Sequence, residues 1–412
     1  MGRLAAAAGL MVALALPGIG HAADAAASAP ARAASAAGAA TPDIGARLYE
    51  IVQQYASVGD HRTGTEADRA TLAWFSAELQ RRGAEVQRMP FRFNRYDGAS
   101  EVTIAGSKVA SLPLYYQGLG DLTDEHPYVA TIPVIDNDKE TPALADVLAQ
   151  ARVAGARSVV IATQGPLGEL QTPDRVPVAG DGMPVVLVPG RVADALQKGP
   201  VQLAFSGRIV AGASDNIVAS FGRPSGAPIV IDTPLTGWFS CAAERGTGIA
   251  IALALAEHIA PRHPVVVIGT PGHELLPHLG LTTYLQQNHI EPGLVVHLGA
   301  NVALGRKDES GHWTFVDTRA VGVRSDADTY ARMRPALATL GLTPYFNPPR
   351  FLGEAALWAN AVKSPMLSIA GVGPQFHSPA DTPENTTSPA LLRQAYDALA
   401  GAVDAWLDTK AP

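Results

Sequence analysis

The chain has a single cysteine, Cys241, in 412 residues, which excludes an internal disulfide and leaves stability to the hydrophobic core. Only 17% of its residues are charged, and the formal net charge of -7 comes from acidic and basic residues mixed along the whole length. No basic stripe or patch stands out, so nucleic acid is excluded as a partner. The apolar run Leu4 to Leu16 is too short to span a bilayer, so no membrane span is expected in the mature chain. What is present is a 47% hydrophobic composition, enough for one large domain or two ordinary ones.

The N-terminus reads as a secretory leader. Arg3 supplies the positive charge, Leu4 to Leu16 the apolar segment, and Pro17 ends it. Gly20-His21-Ala22 then places small residues at both positions a signal peptidase reads, predicting a signal peptide over 1–22. Residues 23–42 are almost wholly Ala, Ser, Gly and Pro, a composition that predicts a disordered spacer. The expected location is periplasmic or secreted.

The folded part opens with "TGTEADRATLAWFSAELQRRGAEV". Thr65 can cap a helix, Leu72, Phe75 and Leu79 fall on one face, and Gly83 ends it. From 214 onward, apolar strands alternate with helices: "APIVIDTP", "GTGIAIALALAEHIA", "HPVVVIGTP", "LTTYLQQNH", "GLVVHLGA", then "ADTYARMRPALATLG", "SPMLSIAG" and "SPALLRQAYDALAGAVDAWL". Strands apolar throughout, alternating with helices, predict an α/β fold with a mostly parallel central sheet covered on both faces. Ligands then bind outside the carboxyl ends of strands. Between 106 and 213, "HPYVATIPVID", "TPALADVLAQARVAGA", "RSVVIAT" and "MPVVLVPG" form a β-rich module with a crossover helix. This module resembles a protease-associated domain inserted between 43–105 and 214–412.

The stretch "IGTPGHELLPHLG" leaves an apolar strand with two histidines and a glutamate. A zinc-protease helix spaces its histidines four apart on one face. Here His273 and His278 are five apart, so on a helix they would diverge by roughly 140°. Pro277 would also break the hydrogen bonding such a helix needs. That reading fails, and His278 is expected to be structural.

Four segments carry another resemblance: "RTGTEAD…ELQRRGAEV", "AAERGTGIA", "GTPGHELLPHLG" and the terminal "FHSPADTPE". Together they resemble the zinc aminopeptidase family that includes aminopeptidase S, glutamate carboxypeptidase II and glutaminyl cyclase. The match runs over about 43–105 and 214–408, and the last segment is the most specific. The resemblance implies a zinc exopeptidase-like fold and a metal site after the strands, but the ligands match only in part. The family's His-x-Asp falls on Thr233 and Leu235, its bridging Asp on Glu244, and a further Asp on Gly299. Its late His falls on His377, and Gly353-Glu354 resembles a Ser-Asp segment with Glu for Asp. If the extra residue follows the Glu-Glu pair, that pair falls on His273-Glu274. One zinc is then kept by Glu244, Glu274 and His377, as glutaminyl cyclases keep one, with His273 as the base. If it precedes the pair, Glu274 becomes the base, Leu275 takes the ligand position, and the site collapses.

Other candidates surround these. Arg245 pairs with Glu244 or binds a substrate carboxylate, Asp381 orients His377 or caps the approach to the last helix, and Trp238 lines an apolar pocket or the core. His297 sits close to the lost Asp ligand and is a candidate substitute, although strand alternation was expected to aim it away. Cys241 precedes a helix start, where a thiolate is stabilised, and is an alternative nucleophile. The expected function is a single-zinc hydrolase cleaving a peptide or related amide bond in a small substrate. The alternatives are an inactive member that binds peptide or cell-wall fragments, and a Cys241-based hydrolase.

Overall fold

A computed structural model of the chain describes residues 43–133, 142–175, 182–222 and 226–410. The expected leader and spacer lie outside the described residues. Among those described, no helix is long and apolar enough to cross a membrane.

The central sheet has seven principal strands: β1 (Glu85–Ile104), β2 (Val201–Phe221), β3 (Ile229–Pro234), β4 (Val265–Thr270), β5 (Leu294–Leu298), β6 (Arg319–Arg324) and β7 (Met366–Gly371). Their spatial order is β6-β7-β5-β3-β4-β2-β1, and short strands extend the sheet at both edges. The middle four, β7, β5, β3 and β4, are parallel, while β6 is antiparallel to β7, and β2 and β1 are antiparallel to their neighbours. The chain goes from β3 to β4 on one side and returns to β5 on the other, so the strand order reverses at β3. That is where an α/β sheet opens a crevice at its carboxyl ends.

The longer helices that accompany this sheet among the described residues are α1 (Ile44–Ala56), α2 (Glu66–Arg81), α3 (Thr247–Ile259), α4 (Leu279–Gln287), α5 (Ala327–Ala338), α6 (Ala355–Ala361) and α7 (Pro389–Asp408). Alternation along the parallel strands sorts their side chains between two cores. Ile229, Ile231, Val267, Leu294 and Val296 pack with α1, α2, α3, α5 and α7. Val230, Ile268 and Val295 face the other way, against Leu281 and Tyr284 of α4 and Trp358 of α6. Continuing that parity past the apolar residues puts Asp232, His297 and Thr270 on the α4/α6 face. Thr233 falls on the opposite face.

The strands and helices read from periodicity are present, and Thr65 caps α2 by accepting from the Asp68 N–H at 3.2 Å. The long hairpin was not expected: β1 and β2 pair continuously from Glu85↔Ser220 to Ile104↔Val201. The insertion is therefore bounded by 104 and 201, because β2 runs straight through the expected boundary at 213. Its own four-stranded sheet comprises Leu112–Pro113, Tyr128–Pro133, Val159–Gln164 and Val185–Pro189. One face of that sheet packs on the crossover helix Pro142–Val153, and the other on the far ends of β1 and β2. Helices α1 and α6 and strand β6 escaped the sequence reading.

Asp68, buried in the first turn of α2, accepts from the Gly64 N–H and the Ser214 hydroxyl, both at 2.7 Å, tying α2 to β2. Burial pushes its carboxyl up to about 7. The folded chain then holds a proton that the unfolded chain has released above about 3.8. This contribution to stability is present below that pH and is lost as pH rises to about 7. Urea titrations should show a shallower loss across that window in Asp68→Asn than in the wild type; parallel curves would refute the assignment.

Candidate active site

Glu354 stands at the centre of a buried cluster. It immediately precedes α6, which carries it to the carboxyl end of the sheet. One carboxylate oxygen accepts from the Thr270 hydroxyl at the end of β4, 3.3 Å away. The other lies 3.2 Å from His273 Nδ1 and 3.8 Å from His278 Nδ1. The two imidazoles stack with centroids 4.7 Å apart. On adjacent β3 and β5, Asp232 and His297 stand side by side in the ladder, and His297 Nδ1 is 2.8 Å from Asp232 Oδ2. Asp174, His273, His278, His297, Glu354 and Phe376 are among the residues lining a cleft of about 230 Å³.

A second centre adjoins the first. Glu244 lies in a single π-helical turn, Ala242–Gly246, that leads into α3. Its carboxylate accepts from Arg245 Nη2 at 2.6 Å and lies 3.2 Å from His377 Nε2, all three side chains being wholly buried. Burial alone would raise the Glu244 pKa, but Arg245 and then His377 hold it below the usual range. For His377, burial pulls downward, but Asp174 and Glu244 outweigh it and raise the imidazole to about 9. Asp174 comes from the inserted module, whose segment 171–175 is sewn to the site. Gln171 Nε2 donates to the Phe376 carbonyl and Thr172 N–H to the His377 carbonyl, while Arg175 N–H donates to the Glu274 carbonyl. Burial pushes the Asp174 carboxyl up to about 7 against the pull of His377.

Glu274 does not join Glu244 and His377. Its carboxylate accepts from the Thr63 N–H and from the Thr236 hydroxyl, and it faces the entry to α2. The turn before it makes this possible. Gly272, at φ +89°, donates its N–H to both threonine hydroxyls, and a Cβ there would press on the backbone of Gly280 at 2.9 Å.

Several expectations change. Cys241 is buried with φ +45°, its thiol donates to the Trp238 carbonyl, and burial, then Glu244, push its pKa well up, so it is no thiolate nucleophile. Trp238 packs in the core beside Tyr115, its indole N–H on Asp174 at 3.2 Å, rather than lining the cleft. Arg245 is enclosed against Glu244 and out of reach of a substrate carboxylate. Asp381 does not orient His377 but accepts from the Thr386 hydroxyl at 3.1 Å on the approach to the last helix. It accepts from the Ala243 and Glu244 N–H groups at 2.7 and 3.0 Å, capping the π turn. His297 does reach the cleft, because Gly299 is two residues along and therefore on the same side. A Cβ at Gly299 would come within 2.9 Å of His297 Nε2. His278, expected to be structural, faces Glu354 because residues 271–278 form a turn with no helical period.

Thr233 and Leu235, at the places of the family's His-x-Asp, are buried without metal-ligand chemistry, Thr233 donating to the Leu298 carbonyl. Glu244, Glu274 and His377 do not fit the expected zinc site either. The Arg245 guanidinium takes one oxygen of Glu244, and two threonines hold Glu274. Among the described residues, the groups able to bring three ligand atoms within 4.8 Å are His273, His278 and Glu354, and Asp232, His297 and Glu354. Asp232, Asp174 and His278 are the residues that sequence reasoning passed over.

No protein-family model matches this chain, and no curated protein does. Solved structures do. A zinc aminopeptidase from Bacillus subtilis, BSAP, superposes with a TM-score of 0.66 at 17% identity, covering 88% of this chain and 95% of that one. A peptidase M28 precursor from Shewanella amazonensis gives 0.65 at 17% identity over 88% and 94%. An aminopeptidase from Aneurinibacillus sp. strain AM-1 gives 0.56 at 16% identity over 87% and 93%. The chain has the zinc exopeptidase-like fold.

Two outcomes follow from this geometry. Native protein should resist iodoacetamide while denatured protein takes up one equivalent; fast native labelling would contradict the buried thiol. Arg245→Met leaves the buried Glu244 charge with His377 alone beside it, and should cost about 3–5 kcal/mol in denaturant unfolding. Glu244→Gln/Arg245→Met should recover most of that loss, and a strictly additive pair would refute the coupling.

Proposed function

We propose that the chain is a hydrolase cleaving a peptide or related amide bond in the cleft beside Glu354. The observation that carries this reading is the Asp232–His297 pair at the point where the strand order reverses. A carboxylate accepts and cannot donate, so the proton between them belongs to His297 Nδ1. Nε2 is left as an acceptor beside the space that Gly299 keeps open. In this reading Nε2 takes the proton of a water attacking the carbonyl carbon. As the C–N bond breaks, the imidazolium returns a proton to the leaving amine, while Asp232 steadies its charge. His273, the base that the family resemblance implies, also lines the cleft. Burial, and after it Arg245, hold its pKa well below the usual value, which leaves it neutral at pH 7.

The single zinc expected at Glu244, Glu274 and His377 is not part of this reading. Export belongs to it, supported by the leader pattern. So does a protease-associated role for the inserted module, supported by its delivery of Asp174 to the cleft. The fold shared with zinc aminopeptidases supports the substrate class. A second reading, binding without turnover, is favoured by the Arg245 guanidinium standing where the resemblance implies a metal.

Aminoacyl anilides and short peptides with free N-termini, followed by mass spectrometry, separate the two. Turnover is expected, with kcat lowered about 100- to 10,000-fold in His297→Gln. Asp232→Asn should also be impaired through loss of the tautomer. Binding without cleavage would establish the second reading, and undiminished turnover by His297→Gln would remove the proposed base.

A further inference from the structure

The centre around Glu354 has a property that proton transfer does not use. Zinc bonds of about 2.0–2.2 Å in a tetrahedron set neighbouring ligand atoms roughly 3.3 Å apart. The 3.2 Å from His273 Nδ1 and 3.8 Å from His278 Nδ1 to one oxygen of Glu354 bracket that spacing. The three ligand atoms also lie within 4.8 Å of one another. Thr270 holds the far oxygen of Glu354, and the stacked rings bring both Nδ1 atoms to the near one. On the other side of Glu354, Asp232 is wholly buried and its Oδ1 has no hydrogen-bond partner among the described residues. The charge inventory agrees. Asp174, Asp232, Glu244, Glu274 and Glu354 are all buried here, and the buried cations Arg245 and His377 both lie against Glu244.

We propose that a divalent transition-metal ion of the zinc class binds between His273, His278 and Glu354, with its open position toward the cleft, displaced from the position the family resemblance implies. Two imidazoles and one carboxylate form a donor set suited to such an ion. The Arg245 guanidinium, in direct contact with Glu244, repels a cation most strongly from that side. The inference goes beyond the hydrolytic reading and does not require it.

The test uses the full chain, stripped with a chelator and titrated with cobalt(II), followed by visible absorption and calorimetry. One equivalent per chain is expected, with the intense d–d bands of a four-coordinate ion. Glu354→Gln should weaken binding by more than the roughly 100-fold that losing an outer hydrogen-bond partner costs. His278→Asn is the second variant, because asparagine accepts the φ of +55° at this position, and it should weaken binding similarly even if Glu354→Gln fails to fold. Glu244→Gln/Arg245→Met should still bind the ion. No binding by the wild type would overturn the proposal. So would binding that survives in Glu354→Gln or His278→Asn but disappears in Glu244→Gln/Arg245→Met. Turnover by metal-free protein that binds no cobalt would sink the ion and keep the hydrolase, whereas cobalt binding without turnover would do the reverse.

Discussion

A guanidinium wholly removed from water must be matched by negative charge at close range, and Arg245 finds it in the adjacent Glu244. Much of the site follows from that pairing. One oxygen of Glu244 is committed, His377 is drawn in as a second positive group, and Asp381 caps the π turn that holds the pair. The inserted module brings Asp174 to balance His377. A centre that the resemblance would give to a metal is thus closed by the protein's own cation.

The other centre is open because of strand parity. Side chains alternate between two cores along β3 and β5, so Asp232 and His297 emerge together on the α4/α6 face, where Glu354 arrives at the start of α6. Thr233 and Leu235 point away from that cluster. Gly299 matters for what it lacks: without a Cβ, it leaves room for the His297 ring.

Backbone strain gathers here as well. Phe239, Cys241, His278, Asn301 and His377 all adopt positive φ without being glycine, and all lie in or beside the two centres. Such conformations persist where surrounding contacts over-determine them. The ties are visible: the thiol of Cys241 on the Trp238 carbonyl, His377 Nδ1 against the Thr172 carbonyl, and the Asn301 amide on the Gly371 carbonyl.

The regular elements of the fold were legible in the sequence because burial on both faces writes long apolar strands, and helix caps write themselves at Thr65 and Gly83. The exclusion of a zinc-protease helix was legible too, since five-residue spacing and Pro277 obey helical geometry. His273 could be named from its motif after an apolar strand, and Glu354 through the family resemblance. What only the tertiary structure decided was which groups meet. Asp232 sits inside an apolar strand and looks like part of it. Asp174 lies in a proline-flanked loop far from its partners in the chain. His278 was dismissed by a periodicity that a turn does not have. Periodicity is a property of neighbours along the chain, whereas a site is made by charges that must find each other across it, and that depends on strand register and on where the inserted module lands.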